Sequence, residues 1–169
     1  MPEFFEVKPP DEARALWWGC VTHQTGVERV SAYEALGRVT AEVLRSPEAL
    51  PAFRRATVDG FAVRAADTFG ASDSLPAYLT VAGEVLMGQE ARDAVPPTGA
   101  VLIHTGGMLP PGADAVVMVE HTQRFDERTI EVLRPVAPGE NVLEVGEDVE
   151  QGALILPAGH TIQPQDIGA

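Results

Sequence analysis

Closely spaced proline and glycine turns constrain this sequence more than any other feature. From position 51 onward, short apolar or alternating runs such as YLTVAGEVL and AVLIHTG follow one another. Turn-forming pairs separate them, among them Asp59-Gly60, Pro110-Pro111 and Pro138-Gly139. Sixteen glycines and fourteen prolines in 169 residues leave little room for long helices. The pattern predicts a mainly β protein whose sheets coil or approach a barrel.

A helix is predicted before the β-rich part begins. Apolar residues recur at helical spacing in PDEARALWWGC, positions 10–20, and Asp11 stands where it can cap the helix. The adjacent Trp17 and Trp18 fit two roles, packing against the rest of the molecule or contact with a partner, and packing is the commoner one. We therefore expect residues 1–26 to form an N-terminal segment with one short helix.

Two further short helices and a strand are predicted around the β-rich part. Ser31, with Glu34 three residues later, has the capping-box pattern, and Gly37 can end a helix of one or two turns. The run RVTAEVLRS, positions 38–46, is typical of a strand. Pro164 suits the first position of a helix, so another helix is expected to begin there.

The charge balance and composition argue against several classes of partner. The chain has 25 acidic and 12 basic residues, a formal net charge of −13, whereas nucleic-acid binding needs clustered Lys and Arg. No apolar run approaches the roughly 18–20 residues of a membrane span. A single cysteine, Cys20, excludes an internal disulfide, and the N-terminus lacks a secretory pattern. We expect a cytoplasmic protein with no membrane or nucleic-acid partner.

One short segment has the opposite charge. Four arginines between positions 45 and 64 stand against only two carboxylates, while positions 140–150 hold five acidic residues and no basic one. Charge runs are most often solvated faces, but a local arginine cluster on an acidic protein also fits a small-anion site. The four are Arg45, Arg54, Arg55 and Arg64.

Asp59 has both a structural and a functional interpretation. An Asp-Gly pair between apolar residues is usually a turn. A carboxylate that faces a cleft also suits a magnesium ion, held through one or two carboxylates and water, or it can orient a polar substrate. Arg54 and Arg55, just upstream, would then supply charge for a phosphate or oxyanion.

The loop HTGGMLPPGADAVVMVEH, positions 104–121, is a second candidate site. Gly106 and Gly107 would let backbone N–H groups approach an oxyanion, and the Thr105 hydroxyl can donate a hydrogen bond. Phosphate loops usually precede a helix, however, and a strand follows here. His104 fits either an acid–base group or a structural residue, and the four histidines have no zinc-like spacing.

Five segments, taken in order, carry a more specific likeness over about 130 residues. They are EALGRVTAEVLRS, PAFRRATVDGFAVRAADT, TGGMLPPGADAVVMVE, APGENV and GEDVEQGALILPAGHTIQP. In order and spacing they resemble the N-terminal region of the molybdopterin molybdenumtransferase family, which includes the E domain of gephyrin. Each segment alone is weakly specific, whereas five in sequence are strongly so.

The resemblance implies a complex fold of bifurcated and coiled β-sheets with a few short helices, in two intertwined lobes. Residues 47–141 would be an inserted β-rich lobe that carries the DGFA and TGG loops. Residues 27–46 and 142–164 would pair into a discontinuous β lobe. Residues 165–169 would begin an α/β domain that binds nucleotide and pterin and that the family carries after this region.

The resemblance also implies an activity. Family members insert molybdate into adenylated molybdopterin and release AMP, a step of molybdenum cofactor biosynthesis. Mg²⁺ would assist in the complete enzyme. The active site would be assembled across a homodimer, with this region of one subunit facing the C-terminal α/β domain of the other. This region alone is therefore expected to be inactive.

Site residues follow from the same resemblance. The family's active-site aspartate falls on Asp59 and its threonine on Thr105, which implies catalytic roles for both and a metal-binding role for Asp59. The residues expected to bind substrate are Gly60, Gly106, Arg54 and Arg55. The family commonly has an acidic or amide pair in place of the two arginines, and alanine in place of Gly107. These departures concern how the substrate's phosphates are held.

Two other functions fit the sequence. A stand-alone, non-catalytic dimerisation or scaffold module of the same fold would act through surfaces away from Asp59. A β-barrel that binds a small anion on its own would depend on the arginines between positions 45 and 64.

Overall fold

The structure, a computed structural model, describes residues 7–168. Contacts within the chain divide them into two compact units: the first joins residues 7–42 to residues 158–168, and the second is Val43–Pro157. The lobe boundaries expected from the resemblance stay a prediction. Residues 1–6 of the predicted N-terminal segment, and the last residue of the predicted α/β element, lie outside the described residues. No described helix is long and apolar enough to cross a membrane.

The first unit contains the single α-helix of the described residues, α1 (Pro10–Cys20), as the sequence predicts. The predicted cap is wrong: Asp11 lies inside the first turn, Pro9 occupies the N-cap position, and no side chain caps the helix. Pro10 at the first helical position explains the early start. Its fixed φ suits the helix, and the N–H that proline lacks would have no partner within the helix at this position. The negative charges of Asp11 and Glu12 in the first turn stabilise the N-terminal end of the helix through its dipole.

The rest of the first unit is built from short pairings between distant segments. A 3₁₀ turn, Ala32–Glu34, confirms the predicted short helix, but Ser31 makes no side-chain cap, so the capping box does not form. Val39 then bridges Thr161 in antiparallel fashion. The predicted helix at Pro164 is a second 3₁₀ turn, Pro164–Gly168.

The second unit holds ten strands, all short except one. In chain order they are β1 (Leu44–Arg45), β2 (Arg55–Ala56), β3 (Gly60–Val63), β4 (Ala77–Val85), β5 (Gly99–Ile103), β6 (Ala115–Met118), β7 (Thr122–Arg124), β8 (Thr129–Val132), β9 (Val142–Leu143) and β10 (Leu154–Leu156). Two-residue strands β1 and β2 pair with β10 and β9. The strand predicted over 38–46 is thus reduced to β1 and the bridge at Val39.

The remaining six strands form one curled sheet in the order β6-β3-β5-β4-β8-β7. All neighbours are antiparallel except β4 and β5, which run parallel. A bulge between Val81 and Gly83 interrupts β4. This half-barrel, with one α-helix and a few 3₁₀ turns besides, confirms the predicted mainly β fold of coiled sheets.

Each face of this sheet has its own apolar core. One core includes Val63, Leu79 and Val132, with Phe61 and Val81 packed against it. The other includes Ala62, Val101 and Ile103, with Val58 packed against it. Since successive residues of a strand point to opposite faces, β3 contributes to both cores, and the turn before it is fixed from two sides.

Candidate functional site

The two loops singled out in the sequence meet at the ends of neighbouring strands. Asp59 directly precedes β3 and Thr105 follows β5, and the antiparallel register pairs Gly60 with Ile103. The Thr105 backbone N–H donates to Oδ1 of Asp59 at 2.7 Å, and its hydroxyl donates to the same oxygen at 3.1 Å. The loop positions predicted to carry chemistry are therefore in direct contact.

This contact also stabilises the ionised form of Asp59. The backbone N–H of Thr105, then its hydroxyl, and then nearby His104 lower the pKa of the Asp59 carboxyl below its usual 3.8. The side chain is 64% exposed, and its second oxygen, Oδ2, has no hydrogen-bond partner among the described residues. An ionised carboxylate is thus held through one oxygen and leaves the other open to a cation or to a donor group of a ligand.

A histidine and a second carboxylate continue the site across the sheet. Nδ1 of His104 lies 3.8 Å from Oδ1 of Asp59, and its Nε2 lies 3.1 Å from Oε1 of Glu84 on β4. Both residues are about half exposed. The three side chains form a row across the ends of β3, β5 and β4.

Two glycines are required by close backbone contacts in this site. A Cβ at Gly60 would lie 1.9 Å from the carbonyl oxygen of Val117 on β6. A Cβ at Gly107 would lie 2.9 Å from the carbonyl oxygen of His104. Gly107, where the family commonly has alanine, therefore allows a tight turn after β5 in this chain.

The predicted oxyanion cradle is filled by the protein itself. The Gly106 N–H donates to the carbonyl of Ala56 at 2.8 Å, and the Gly107 N–H donates to the carbonyl of His104 at 2.8 Å. With the Thr105 donors engaged on Asp59, this loop binds a carboxylate of its own chain. An oxyanion at these N–H groups would have to displace a protein acceptor.

The arginines of the positive segment are engaged elsewhere. Nε of Arg54 donates to Glu144 at 2.9 Å, and Arg55 lies 3.5 Å from Asp148. Both pairs are well exposed, so each contributes little to stability. The described structure therefore does not bring these arginines onto Asp59.

Metal-binding capacity in this chain is limited. Within residues 7–168, no three His, Cys, Asp or Glu side chains come together as a group that could hold a metal ion. Asp59 can offer its free oxygen as a single ligand. The partnership of Glu84 with His104 escaped the sequence analysis, because it depends on β4 lying beside β5.

Comparison with known proteins agrees with this geometry. The family model described as "MoeA N-terminal region (domain I and II)" matches residues 8–169. The chain belongs to this MoeA family. A solved molybdopterin biosynthesis MoeA protein from Pyrococcus horikosii matches 96% of the chain at 37% identity with a TM-score of 0.88. The molybdopterin biosynthesis resemblance and the predicted fold class are thereby confirmed.

MoeA relatives are longer than this chain. It is 42% identical over 139 residues to a putative molybdopterin biosynthesis protein, MJ0666, from Methanocaldococcus jannaschii, covering 82% of this chain and 32% of that protein. It is 38% identical over 144 residues to the molybdopterin molybdenumtransferase of Bacillus subtilis, covering 83% and 34%. The Pyrococcus chain is covered to 41%. The chain thus spans about a third of the curated MoeA relatives that it matches.

Proposed function

We propose that this chain is the N-terminal part of a molybdopterin molybdenumtransferase, which inserts molybdate into adenylated molybdopterin and releases AMP. The observation that carries the proposal is the double hydrogen bond from Thr105 to Asp59. A simple Asp-Gly turn needs no partner from a loop 46 positions away. Here the second loop stabilises the ionised carboxylate through one oxygen and leaves the other exposed, as an active-site aspartate requires. Membership in the MoeA family supports the same conclusion.

Mg²⁺ in the complete enzyme is part of the proposal. Oδ2 of Asp59 is a hard oxygen ligand of the kind that Mg²⁺ prefers. Because the described residues offer no group of three ligands, the remaining ligands would be water and substrate oxygens. The ion, when bound, would neutralise charge on the substrate's phosphate.

Thr105 and Asp59 act as one unit in this proposal. Thr105 orients the carboxylate, and Gly60 lets the turn pack against the Val117 backbone. Gly106, with no atom within 4 Å of a Cβ position, keeps the backbone beside the carboxylate free of a side chain, so that substrate can approach closely. Arg54 and Arg55 would contact substrate phosphate only after leaving Glu144 and Asp148, which exposed ion pairs permit at small cost.

A homodimer is the second part of the proposal. Helix α1 buries none of its residues, and Leu16, Trp17 and Trp18 are 52%, 61% and 59% exposed. A helix that exposes two tryptophans is typical of a protein interaction surface. We place the contact with a second copy, or with the α/β domain of the longer MoeA proteins, on this helix. The same observation would support the alternative, a non-catalytic scaffold.

The deciding experiment uses Asp59→Asn in the longest natural form of the protein. We expect AMP release from adenylated molybdopterin to fall by about 100-fold or more, because the charge that orients metal and substrate is lost. Asp73→Asn, an exposed turn aspartate of the same unit, is the matched control and should retain activity. The 169 residues alone should not turn over. Full activity in Asp59→Asn would remove Asp59 from the catalytic site, whereas no AMP release by the wild-type protein, with dimerisation intact, would favour the scaffold.

A further inference from the structure

The two edges of the curled sheet differ in how they are covered. Along β6 the chain itself supplies partners: the Val116 N–H donates to the carbonyl of Glu140 at 3.0 Å, and the Asn141 side chain donates to the carbonyl of Val116 at 2.9 Å. Strand β7 ends the sheet on the other side, and no strand within residues 7–168 lies beyond it. Natural sheets cover or block such edges, because an open edge accepts another strand. Strand β7 is therefore a candidate binding surface.

The backbone groups of β7 point alternately toward β8 and away from it. Gln123 is paired with Glu131 on β8. The Phe125 N–H donates to the Thr129 carbonyl at 3.0 Å. Gln123 and Phe125 thus direct their backbone groups toward β8, and the N–H and carbonyl of Arg124 point away from it. Neither group of Arg124 takes part in a loop hydrogen bond of the described chain. One residue of an added antiparallel strand would match this donor and acceptor.

An apolar groove of about 320 Å³ runs beside this edge. Thr122 and Arg124 of β7 lie in its wall, together with apolar side chains from the neighbouring strands and turns: Phe61, Val81, Leu102, Val119 and Ile130. Alternate side chains of a strand share one face, so a strand added to β7 directs every second side chain toward the groove. The volume and lining of the groove fit an aliphatic side chain, such as leucine, as an anchor.

Charges at the two ends of β7 favour a basic partner. From Glu120 to Arg128 the chain carries three carboxylates and two arginines, within a protein of net charge −13. The guanidinium of Arg124 donates to the carbonyls of Asp126 and Glu127 at 3.3 and 3.4 Å, which holds it against the turn. The carboxylates of Glu120 and Glu127 have no hydrogen-bond or ion-pair partner among the described residues, and both side chains are exposed. Lysine or arginine in a partner would meet these two carboxylates.

The same charges argue against a second copy of the chain as the occupant. Strand β7 has two symmetric antiparallel pairings with itself. A pairing centred on Gln123 sets Asp126 opposite Glu120 of the copy, and a pairing centred on Arg124 sets this arginine opposite itself. Like charges directly opposite each other destabilise a strand pair. A different chain with basic residues avoids both repulsions.

We propose that the β7 edge and its groove bind an extended, basic segment of another protein, which adds to the sheet as an antiparallel strand. The segment pairs with the outward backbone groups of Arg124, inserts one apolar side chain into the groove, and carries lysine or arginine on either side of it. Exposed aromatic rings flank the strand: Phe125 and Tyr78, 61% and 52% exposed, lie edge to face with their centres 5.2 Å apart. Aromatic residues are enriched at protein interfaces. This site is separate from Asp59 and does not depend on the proposed function.

The test is an NMR titration of the 169-residue chain with a blocked seven-residue peptide. The peptide has leucine at its centre, lysine two positions to either side and threonine elsewhere, so that leucine and both lysines share one face of a strand. We expect the amides of Thr122 and Arg124 to shift and the Arg124 amide to exchange more slowly with solvent. Replacing both lysines with glutamate, or the leucine with serine, should weaken binding about tenfold or more. N-methylation of the leucine removes one backbone donor and should weaken it about fivefold.

Variants of the chain separate the backbone edge from the side chains beside it. Arg124→Pro removes the outward N–H and should weaken peptide binding about fivefold, whereas Arg124→Ala keeps that N–H and should bind at least as tightly as the wild type. Glu127→Gln should weaken binding about twofold, and Glu90→Gln, at an exposed position of the same unit, should not. Val119→Ser should weaken it more than Val145→Ser, at a similarly exposed valine outside the groove.

Four results would overturn the inference: unchanged Thr122 and Arg124 amides, equal binding of the lysine and glutamate peptides, equal affinities of Arg124→Pro and Arg124→Ala, or self-association of the chain that Arg124→Pro abolishes. If Arg124→Pro does not fold, the N-methylated peptide tests the same backbone pairing from the other strand, and undiminished binding of that peptide has the same meaning. Binding by this chain but not by the longest natural form of the protein also contradicts the inference, because a later part of the same protein would then cover the edge.

Discussion

Gly60 lies directly against the backbone of Val117: a Cβ at position 60 would stand 1.9 Å from the Val117 carbonyl oxygen. The contact joins the residue after Asp59 to the neighbouring strand. A side chain at position 60 would therefore push the Asp59 turn away from the sheet. The close packing that positions the carboxylate is thus also a stability requirement.

Gly60→Ala should destabilise the second unit by about 3 kcal/mol or more, because a backbone oxygen cannot move aside as a side chain can. Urea unfolding followed by circular dichroism measures the change. Gly83→Ala is the control, since no atom of the described residues lies within 4 Å of a Cβ there, and it should change stability by about 1 kcal/mol or less. Similar unfolding midpoints for both variants would contradict the structural explanation.

Asp59 should titrate below the usual 3.8, because the Thr105 N–H and hydroxyl stabilise its charged form. Its folded-state pKa is lowered, so its contribution to stability is present above the unfolded pKa and is lost as pH falls through the folded one. NMR of the carboxyl carbon measures the midpoint. Thr105→Val removes the hydroxyl and keeps the N–H, so the pKa should rise only part of the way. A wild-type midpoint at or above 3.8 would refute this contact.

Asp166 should hold the last 3₁₀ turn closed. One of its oxygens accepts the Gln163 N–H at 2.8 Å and lies 2.7 Å from Nε2 of His160. The Gln163 N–H, followed by His160, lowers the pKa of Asp166, so the turn should loosen only as pH falls through that lowered value. Asp166→Ala should speed amide exchange of Gln163 near neutral pH. Asp148→Ala, a carboxylate of the other unit, should leave that exchange unchanged.

Trp17 and Trp18 should control self-association if α1 is the dimer contact. Their rings lie 4.8 Å apart on a helix that buries nothing. Replacing both with serine should weaken the dimer by at least about 30-fold, since buried tryptophans are common interface hot spots. Sedimentation velocity over a concentration series measures this. Phe69→Ser, at an equally exposed aromatic residue of the second unit, should leave the dimer intact. A monomeric wild type would remove the dimer from the proposal.

Local patterns in the sequence predicted the helices and strands better than they predicted the contacts that these elements make. Apolar runs bounded by Gly and Pro predicted the strands, and helical spacing predicted α1. Asp11 and Ser31 were wrong as capping residues, because α1 begins at Pro10, two residues earlier than a cap at Asp11 requires, and the 3₁₀ turn is too short for a capping box. A cap depends on the first residue of a helix, which sequence patterns locate to within one or two positions.

The candidate site was predictable only in part. The resemblance pointed to Asp59 and Thr105, and the structure shows these two in contact, although their roles stay a proposal. Glu84 was not predicted, because the face of the sheet on which it lies depends on the bulge in β4 and on the parallel pairing of β4 with β5. No local signal in YLTVAGEVL shows either feature. Arg54 and Arg55 looked like an anion site from charge alone, while their ion-pair partners lie about 90 positions away.

The bridge between Val39 and Thr161 bears on the order of folding. Closing a flexible loop of that length costs ~4 kcal/mol in chain entropy, which the short pairings of the first unit have to offset if it folds alone. Once the second unit is folded, its own structure brings residues 43 and 157 into place, and most of that cost disappears. The first unit should therefore form last and melt whenever the second does, so that Gly60→Ala lowers the stability of both, whereas Asp166→Ala loosens only the last turn of the first.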